Sequence, residues 1–405
     1  MGKQAEVQWR MVRDANRWTQ SVGVAYKGGR RRAPVMTERD GYILLNMMSD
    51  VGPVSVRRLM EFFGGVPAIL HASLEELRQV KGVGLRMAEA IVRQREELDV
   101  AQEVERAHRL GARLIAFSDE AYPALLKEIY DPPLALYAMG SLEPADRHAI
   151  AVVGSRRTTH YGRSVADRLS YQLAKVGYTV VSGLARGIDT AAHEGALKGG
   201  GRTLAVLGGG MGSIYPAENR KLAAAIAGQG CVLSEFPLDR QPDKTTFPMR
   251  NRIASGLSLG VVVVEADRTS GAMNTAKHAL EQGRSVFAVP GRIDASTAAG
   301  CHLLIKQGAR LVESVDDILE EFEMLLPAKA LEQAKTLDRR PEVKLSEEEQ
   351  AIVKALWEGA LHVDELARLV ELEPAMLSAR IMGLEMKKVL KMLPGRMVEL
   401  LVPLV

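Results

Sequence analysis

Residues 149–157 read Ala149-Ile150-Ala151-Val152-Val153-Gly154-Ser155-Arg156-Arg157, five apolar residues that stop at a glycine, a serine and two arginines. An unbroken apolar run of this length suits a strand covered on both faces, as in a parallel sheet. The pattern recurs. Residues 178–181 run into Ser182-Gly183-Leu184-Ala185-Arg186-Gly187, and residues 261–265 run toward Ser270-Gly271. Small-residue loops that leave a strand and open a helix present free backbone N–H groups, which suits phosphate. Arginines at the same strand ends add charge that no working pH removes.

Outward from this stretch, residues 101–326 alternate strand and helix, the pattern of a parallel sheet with helices on both faces. Strands are expected at 134–137, 149–153, 178–181, 203–207, 232–234, 261–265 and 285–289. The helix after Gly162 spaces Val165, Leu169 and Leu173 four apart, a stripe that packs on the sheet. Ligands in such sheets bind beyond the carboxyl ends of the strands, where all the loops above lie. The expected fold is therefore α/β, an extended Rossmann-like core with a helical domain before it and a winged helix after it.

The flanks complete that division. Residues 1–37 are basic, with Arg30-Arg31-Arg32, and read as a flexible tail. Residues 38–100 read as a helical domain of the SAM or helix–hairpin–helix kind, with Lys81-Gly82-Val83-Gly84 as one hairpin and Pro53 removing an N–H from the other. A helical bundle that merely packs is the alternative for this segment. Residues 327–344, with Pro327 and Pro341, read as a linker, and 345–405 as the winged helix. Its helices are marked by Ile352 and Leu356, Val363 and Leu366, and Leu377 and Leu384, and Pro394-Gly395 forms the turn of the wing. Its third helix offers only Arg380, Lys387 and Lys388, so a protein contact competes with duplex binding there.

Charge points to a partner. The net charge is +3, but residues 1–39 carry +6, 40–149 carry −5, 150–310 carry +9 and 311–405 carry −7. A basic body between acidic flanks favours a polyanion. Cys231 and Cys301 have no metal-ligand spacing, no apolar stretch approaches the length of a bilayer span, and the N-terminus lacks the apolar core of a secretory signal. A cytoplasmic protein without metal or membrane contact is expected.

Three ligands compete for the strand-end loops. A dinucleotide needs Gly-x-Gly-x-x-Gly and a ribose carboxylate, and Gly154-Ser155-Arg156-Arg157 lacks the second glycine. Gly208-Gly209-Gly210-Met211-Gly212 is followed by Tyr215-Pro216 rather than a long helix. Hydrolysis would enlist Asp189 and His193, four apart on one helix face, or Glu265 as base. The alternatives are that Asp189 caps the helix, His193 orients a loop and Glu265 orients an arginine or a loop N–H. Single-stranded nucleic acid needs a basic groove with exposed aromatics. Arg156, Lys244, Arg250 and Arg252 supply the groove, and Phe247 the stacking surface.

The ordered set Gly154-Ser155-Arg156, Tyr161-Gly162, Ser182-Gly183-Leu184-Ala185-Arg186-Gly187-Ile188-Asp189, Tyr215-Pro216, Phe247-Pro248, Arg250-Asn251-Arg252 and Ser270-Gly271 resembles the DprA (Smf) family of DNA-processing proteins over about residues 115–312. The resemblance implies a cytoplasmic, cofactor-free and non-catalytic protein that binds single-stranded DNA and protects incoming strands in natural transformation. It implies a homodimer formed through the Rossmann-like domain and help in loading the recombinase RecA. Carried onto this chain, the phosphate site comprises Gly154, Ser155, Arg156, Ser182, Gly183, Arg250, Asn251, Arg252, Ser270 and Gly271, with Lys244 and Phe247 along the strand's path. Gly212 and Met273-Asn274 depart from the family pattern, which touches the geometry of their loops. The runner-up resemblance is to the lysine-decarboxylase-like nucleotide phosphoribohydrolases, whose glycine-rich turn and glutamate are replaced here by Ala266-Asp267-Arg268-Thr269-Ser270-Gly271.

Overall fold

The computed structural model describes residues 36–325, 345–356, 359–387 and 389–400. The expected tail, apart from its last two residues, and the whole expected linker lie outside them.

Helices open the described chain. Thr37 caps the helix Glu38–Met47 by accepting from the Asp40 amide, and that helix buries Tyr42 to Leu45. Pro53 starts the next helix, Pro53–Phe63, where its missing N–H costs nothing, and Gly64 ends it at φ +80°. Short helices Val66–His71 and Leu74–Arg78 lead through the Gly82 turn to Leu85–Glu97, and an Asp99-capped helix Val100–Arg109 delivers the chain to the sheet.

The sheet has nine strands: β1 Ala112–Ala116, β2 Ala135–Gly140, β3 Ala149–Val153, β4 Thr179–Ser182, β5 Thr203–Val206, β6 Cys231–Ser234, β7 Gly260–Val263, β8 Ser285–Ala288 and β9 Arg310–Leu311. They lie in the order β1-β2-β6-β5-β4-β3-β7-β8-β9. From β6 to β9 every neighbouring pair is parallel. β2 departs from the all-parallel expectation, because it pairs antiparallel with both β6 and β1. Antiparallel strands of this kind commonly extend an otherwise parallel sheet at its edge.

Side chains alternate across the sheet as a two-residue repeat requires. Ile150, Val152, Val180 and Val262 pack under the helices His160–Lys175 and Ile188–Lys198, together with Val165, Leu169 and Leu173. Ala149, Ala151, Val153 and Val263 face the helices Thr246–Gly256, Gly271–Glu281 and Ala299–Lys306. Both faces are covered, which is why these strands read as unbroken apolar runs. A third core joins the N-terminal helices to the sheet edge, where Tyr42, Leu44 and Leu45 cluster with Leu114, Tyr137 and Val232. Asn46 pins that joint by donating to the Glu235 carbonyl at 2.8 Å and accepting from the Ala135 amide at 3.3 Å.

The C-terminal segment is a winged helix. Helices Glu347–Ala355, Val363–Val370 and Pro374–Met386 pack on β10 Leu361–His362, β11 Leu390–Leu393 and β12 Met397–Leu400, with Ile352, Leu366, Leu377 and Leu384 in the core. Gly395 turns the wing at φ +80°. Arg380 and Lys387 of the third helix are tied to Glu348 at 2.6 Å and Glu349 at 2.8 Å. The exposed side chains of that helix include Met376, Met382 and Met386.

Candidate functional site

The chain steps from β3 through β4 and β5 to β6 on one side, then crosses to β7, β8 and β9 on the other. The connections after β3 and β7 therefore diverge, and a crevice opens at that reversal. Here it is a cleft of about 850 Å³, bordered by Gly154 to Arg157, by Lys244, Phe247, Arg250 and Asn251, and by Ser270 and Gly271.

Hydrogen bonds hold the wall after β3. The Ser155 amide donates to the Glu265 carbonyl at 2.6 Å. The Glu265 carboxylate accepts from the hydroxyls of Thr158 and Thr159, each at 2.6 Å, and from the Thr159 amide at 2.9 Å. It is a loop anchor whose lone pairs are engaged. Among the described residues the amides of Arg156 and Gly271 donate to nothing. Ser270 caps the helix Gly271–Glu281 through the Ala272 amide at 3.3 Å.

Arg250 forms the floor. Its side chain is 5% exposed, and Nη1 donates to the Val206 carbonyl at 3.1 Å. Gly183 makes this seat possible, because a Cβ there would land on the guanidinium. Burial holds the Arg250 guanidinium below its usual range, with Asp189 opposing, and holds the Asp189 carboxyl above the usual carboxylate range against the pull of Arg250. His193 is fully buried, with Nδ1 2.7 Å from the Thr203 hydroxyl, and burial together with Arg250 pushes it down to about 3. This imidazole is enclosed in the core and does not border the cleft.

The expected residues divide. Gly154, Ser155, Arg156, Lys244, Phe247, Arg250, Asn251, Ser270 and Gly271 all border the cleft. Lys244 is exposed and, among the described residues, makes no ion pair. Asn251 donates to the Gly271 carbonyl at 3.2 Å, which ties the two walls together. Ser182 is buried with its hydroxyl turned back to the Val152 carbonyl at 2.7 Å, so it lies beneath the site. Arg252 is a correction. It is 4% exposed and sits on the far side of its helix, paired with Glu235 and with Asp131 at 3.2 Å. Two residues along a helix turn a side chain through about 200°, so Arg250 and Arg252 face opposite ways. That spacing was visible in the sequence.

Phe247 stands otherwise than expected. The guanidinium carbon of Arg156 lies 4.4 Å from its ring centroid, a cation–π stack, and the Tyr215 ring lies 6.2 Å away. The Phe247 ring is thus not a bare platform but part of a composite surface with the Arg156 guanidinium. Beyond this pair lies a second hollow of about 200 Å³, bordered by Gly183, Leu207, Gly208, Gly209 and Tyr215. The glycine run forms a wall of this hollow because the 237–247 segment folds over it, with Phe247 close to Gly208 and Pro242 close to Gly209. Arg186, at the rim, is paired with Glu218.

Comparison with known proteins agrees with this architecture. Residues 113–323 match the family model of DNA recombination-mediator protein A, 336–396 the DprA winged helix domain, and 42–97 the SAM-like helix-hairpin-helix tandem. Protein Smf of Synechocystis is 39% identical over 70% of this chain and 72% of its own length. The DNA processing protein DprA of Bacillus subtilis is 46% identical over 52% of this chain and 72% of its own. The X-ray structure of DNA processing protein A from Streptococcus pneumoniae aligns with a TM-score of 0.62 at 35% identity, covering 70% of this chain and 97% of that one. With three consecutive segments matched in order and a shared sheet, this chain belongs to the DprA/Smf family of DNA-processing proteins.

Proposed function

We propose that this chain holds single-stranded DNA by its phosphates in the cleft between β3 and β7, without regard to sequence. In this reading it pairs through the sheet domain, protects incoming strands during natural transformation and passes them to RecA, with no cofactor and no bond-making chemistry. The observation that carries it is the gathering of Arg156, Lys244 and Arg250 around one open cleft walled by strand-end glycine and serine. Free amides and fixed cations contact a backbone and leave base identity unread. Membership of a DNA-processing family supports the same ligand.

The test is affinity for single-stranded oligonucleotides across a salt series. Each phosphate contact on a single strand contributes a log–log slope of about −0.7. Arg156→Ala and Lys244→Ala should each flatten the slope by about that amount and weaken all sequences alike. Unchanged slopes in both variants would remove the cleft from consideration. The hand-over is read separately, as faster assembly of RecA on strands carrying this chain than on bare strands. Equal rates would discard that half of the reading.

A further inference from the structure

The wall of the cleft that carries Lys244 is reached by a stretch without regular structure. Between β6 and the helix Thr246–Gly256, residues 235–245 form neither helix nor strand. Such a stretch needs outside anchors if Lys244 is to keep its place at the cleft. Two of them come from the N-terminal helices. Asn46 donates to the Glu235 carbonyl at its start. The other is Glu103, on the helix Val100–Arg109, which does not border the cleft.

Glu103 is 4% exposed. Its Oε1 accepts from the Leu238 amide at 3.2 Å and from the Tyr137 hydroxyl at 2.9 Å, and its Oε2 accepts from Arg106 at 3.0 Å. Arg106 reaches on to the Asp239 carboxylate. One carboxylate thus grips two consecutive residues of the stretch, Leu238 directly and Asp239 through Arg106. The hold is passed along the chain. The Leu238 and Arg240 carbonyls accept from the amides of Gly212 at 3.0 Å and Gly210 at 2.8 Å. Asp243 then accepts from the Thr245 and Thr246 amides, at 2.7 Å and 3.1 Å, where the next helix begins. A buried carboxylate costs desolvation that an apolar side chain of like size avoids, so stability alone does not explain it. Its bonds supply the reason. We infer that Glu103 is a positioning residue for DNA: from outside the cleft it fixes the stretch that presents Lys244, so that the strand meets this cation already ordered. Without that anchor the ordering of the stretch would be charged to binding. The inference rests on the proposed binding of single-stranded DNA. The competing role is a plain tether of helix to sheet, to which DNA affinity is indifferent.

The experiment is a mutant cycle in the full chain, read as affinity for an oligothymidylate under conditions where circular dichroism shows each variant folded. Glu103→Met combined with Tyr137→Phe keeps the core filled and leaves no orphaned hydroxyl, while it frees Leu238 and Arg106. This pair should weaken binding about five-fold, the loss expected when a freed side chain or two must be ordered again. In a chain that also carries Lys244→Ala, the same pair should cost less than about two-fold, because the group it positions is gone. Arg106→Ala, at a partly exposed position, releases Asp239 alone and keeps the test decisive if the buried pair fails to fold. Its loss should be about two-fold and should likewise vanish without Lys244. Wild-type affinity in the variants that fold would overturn the inference and leave a tether. Losses of equal size with and without Lys244 would overturn it too. Failure of wild type to bind the oligothymidylate would bring down the proposed function itself.

Discussion

Arg252→Ala is expected to cost the fold about 3–5 kcal/mol while leaving the DNA affinity of the folded protein unchanged. Arg252 and Glu235 are 4% and 7% exposed, and Asp131 also pairs with the guanidinium at 3.2 Å. Removing the cation strands a carboxyl that burial already holds above its ordinary range. Among the described residues no other cation pairs with the buried Glu235 carboxylate. Urea denaturation should show a lower midpoint with an unaltered m-value. Pairing Arg252→Met with Glu235→Leu should recover most of the loss, because matched apolar groups dispense with both desolvation penalties. Wild-type stability combined with weakened binding in Arg252→Ala would return this arginine to the groove.

Gly183→Ala is expected to reduce affinity for single strands at least about ten-fold, as Arg250→Ala should, through loss of a charge-assisted contact. The new methyl would occupy the place of the Arg250 guanidinium, which is bonded there to the Val206 carbonyl. Arg250 would then leave the floor of the cleft. The two substitutions act on one group, so the double variant should bind no worse than either single one. Additive losses would mean that Gly183 acts independently of Arg250. Overpacking should also lower stability by about 1–3 kcal/mol, which thermal unfolding separates from binding. Wild-type affinity in Gly183→Ala would show that the buried arginine takes no part.

The legible parts of the molecule were those where one local rule decides the outcome. β3 to β8 announced themselves because both faces are covered and their residues are mostly apolar and buried. The wing turn was legible because Pro394-Gly395 separates two short apolar pairs. β1 was missed because Arg113 interrupts a short run with an exposed charge, and β9 because two residues carry no period. The direction of β2 depends on its neighbours, which no local pattern encodes. In the site, Arg156 was legible as charge, yet its place over Phe247 is set by long-range packing. Reading Arg250-Asn251-Arg252 as one track ignored the turn of the helix that carries it.

Tyr42, Leu44 and Leu45 share a core with Leu114, Tyr137 and Val232, and Asn46 bonds directly to the sheet edge. A cut near residue 100, where the sequence pattern changes from helical to alternating, would peel an apolar wall off β1 and β2 and leave it bare to solvent. Exposed surfaces of that kind seek other surfaces, so a clipped sheet would clump before it could be assayed. A piece that keeps this shared core whole starts at the Thr37 cap, so the helical segment is a structural wall of the sheet domain.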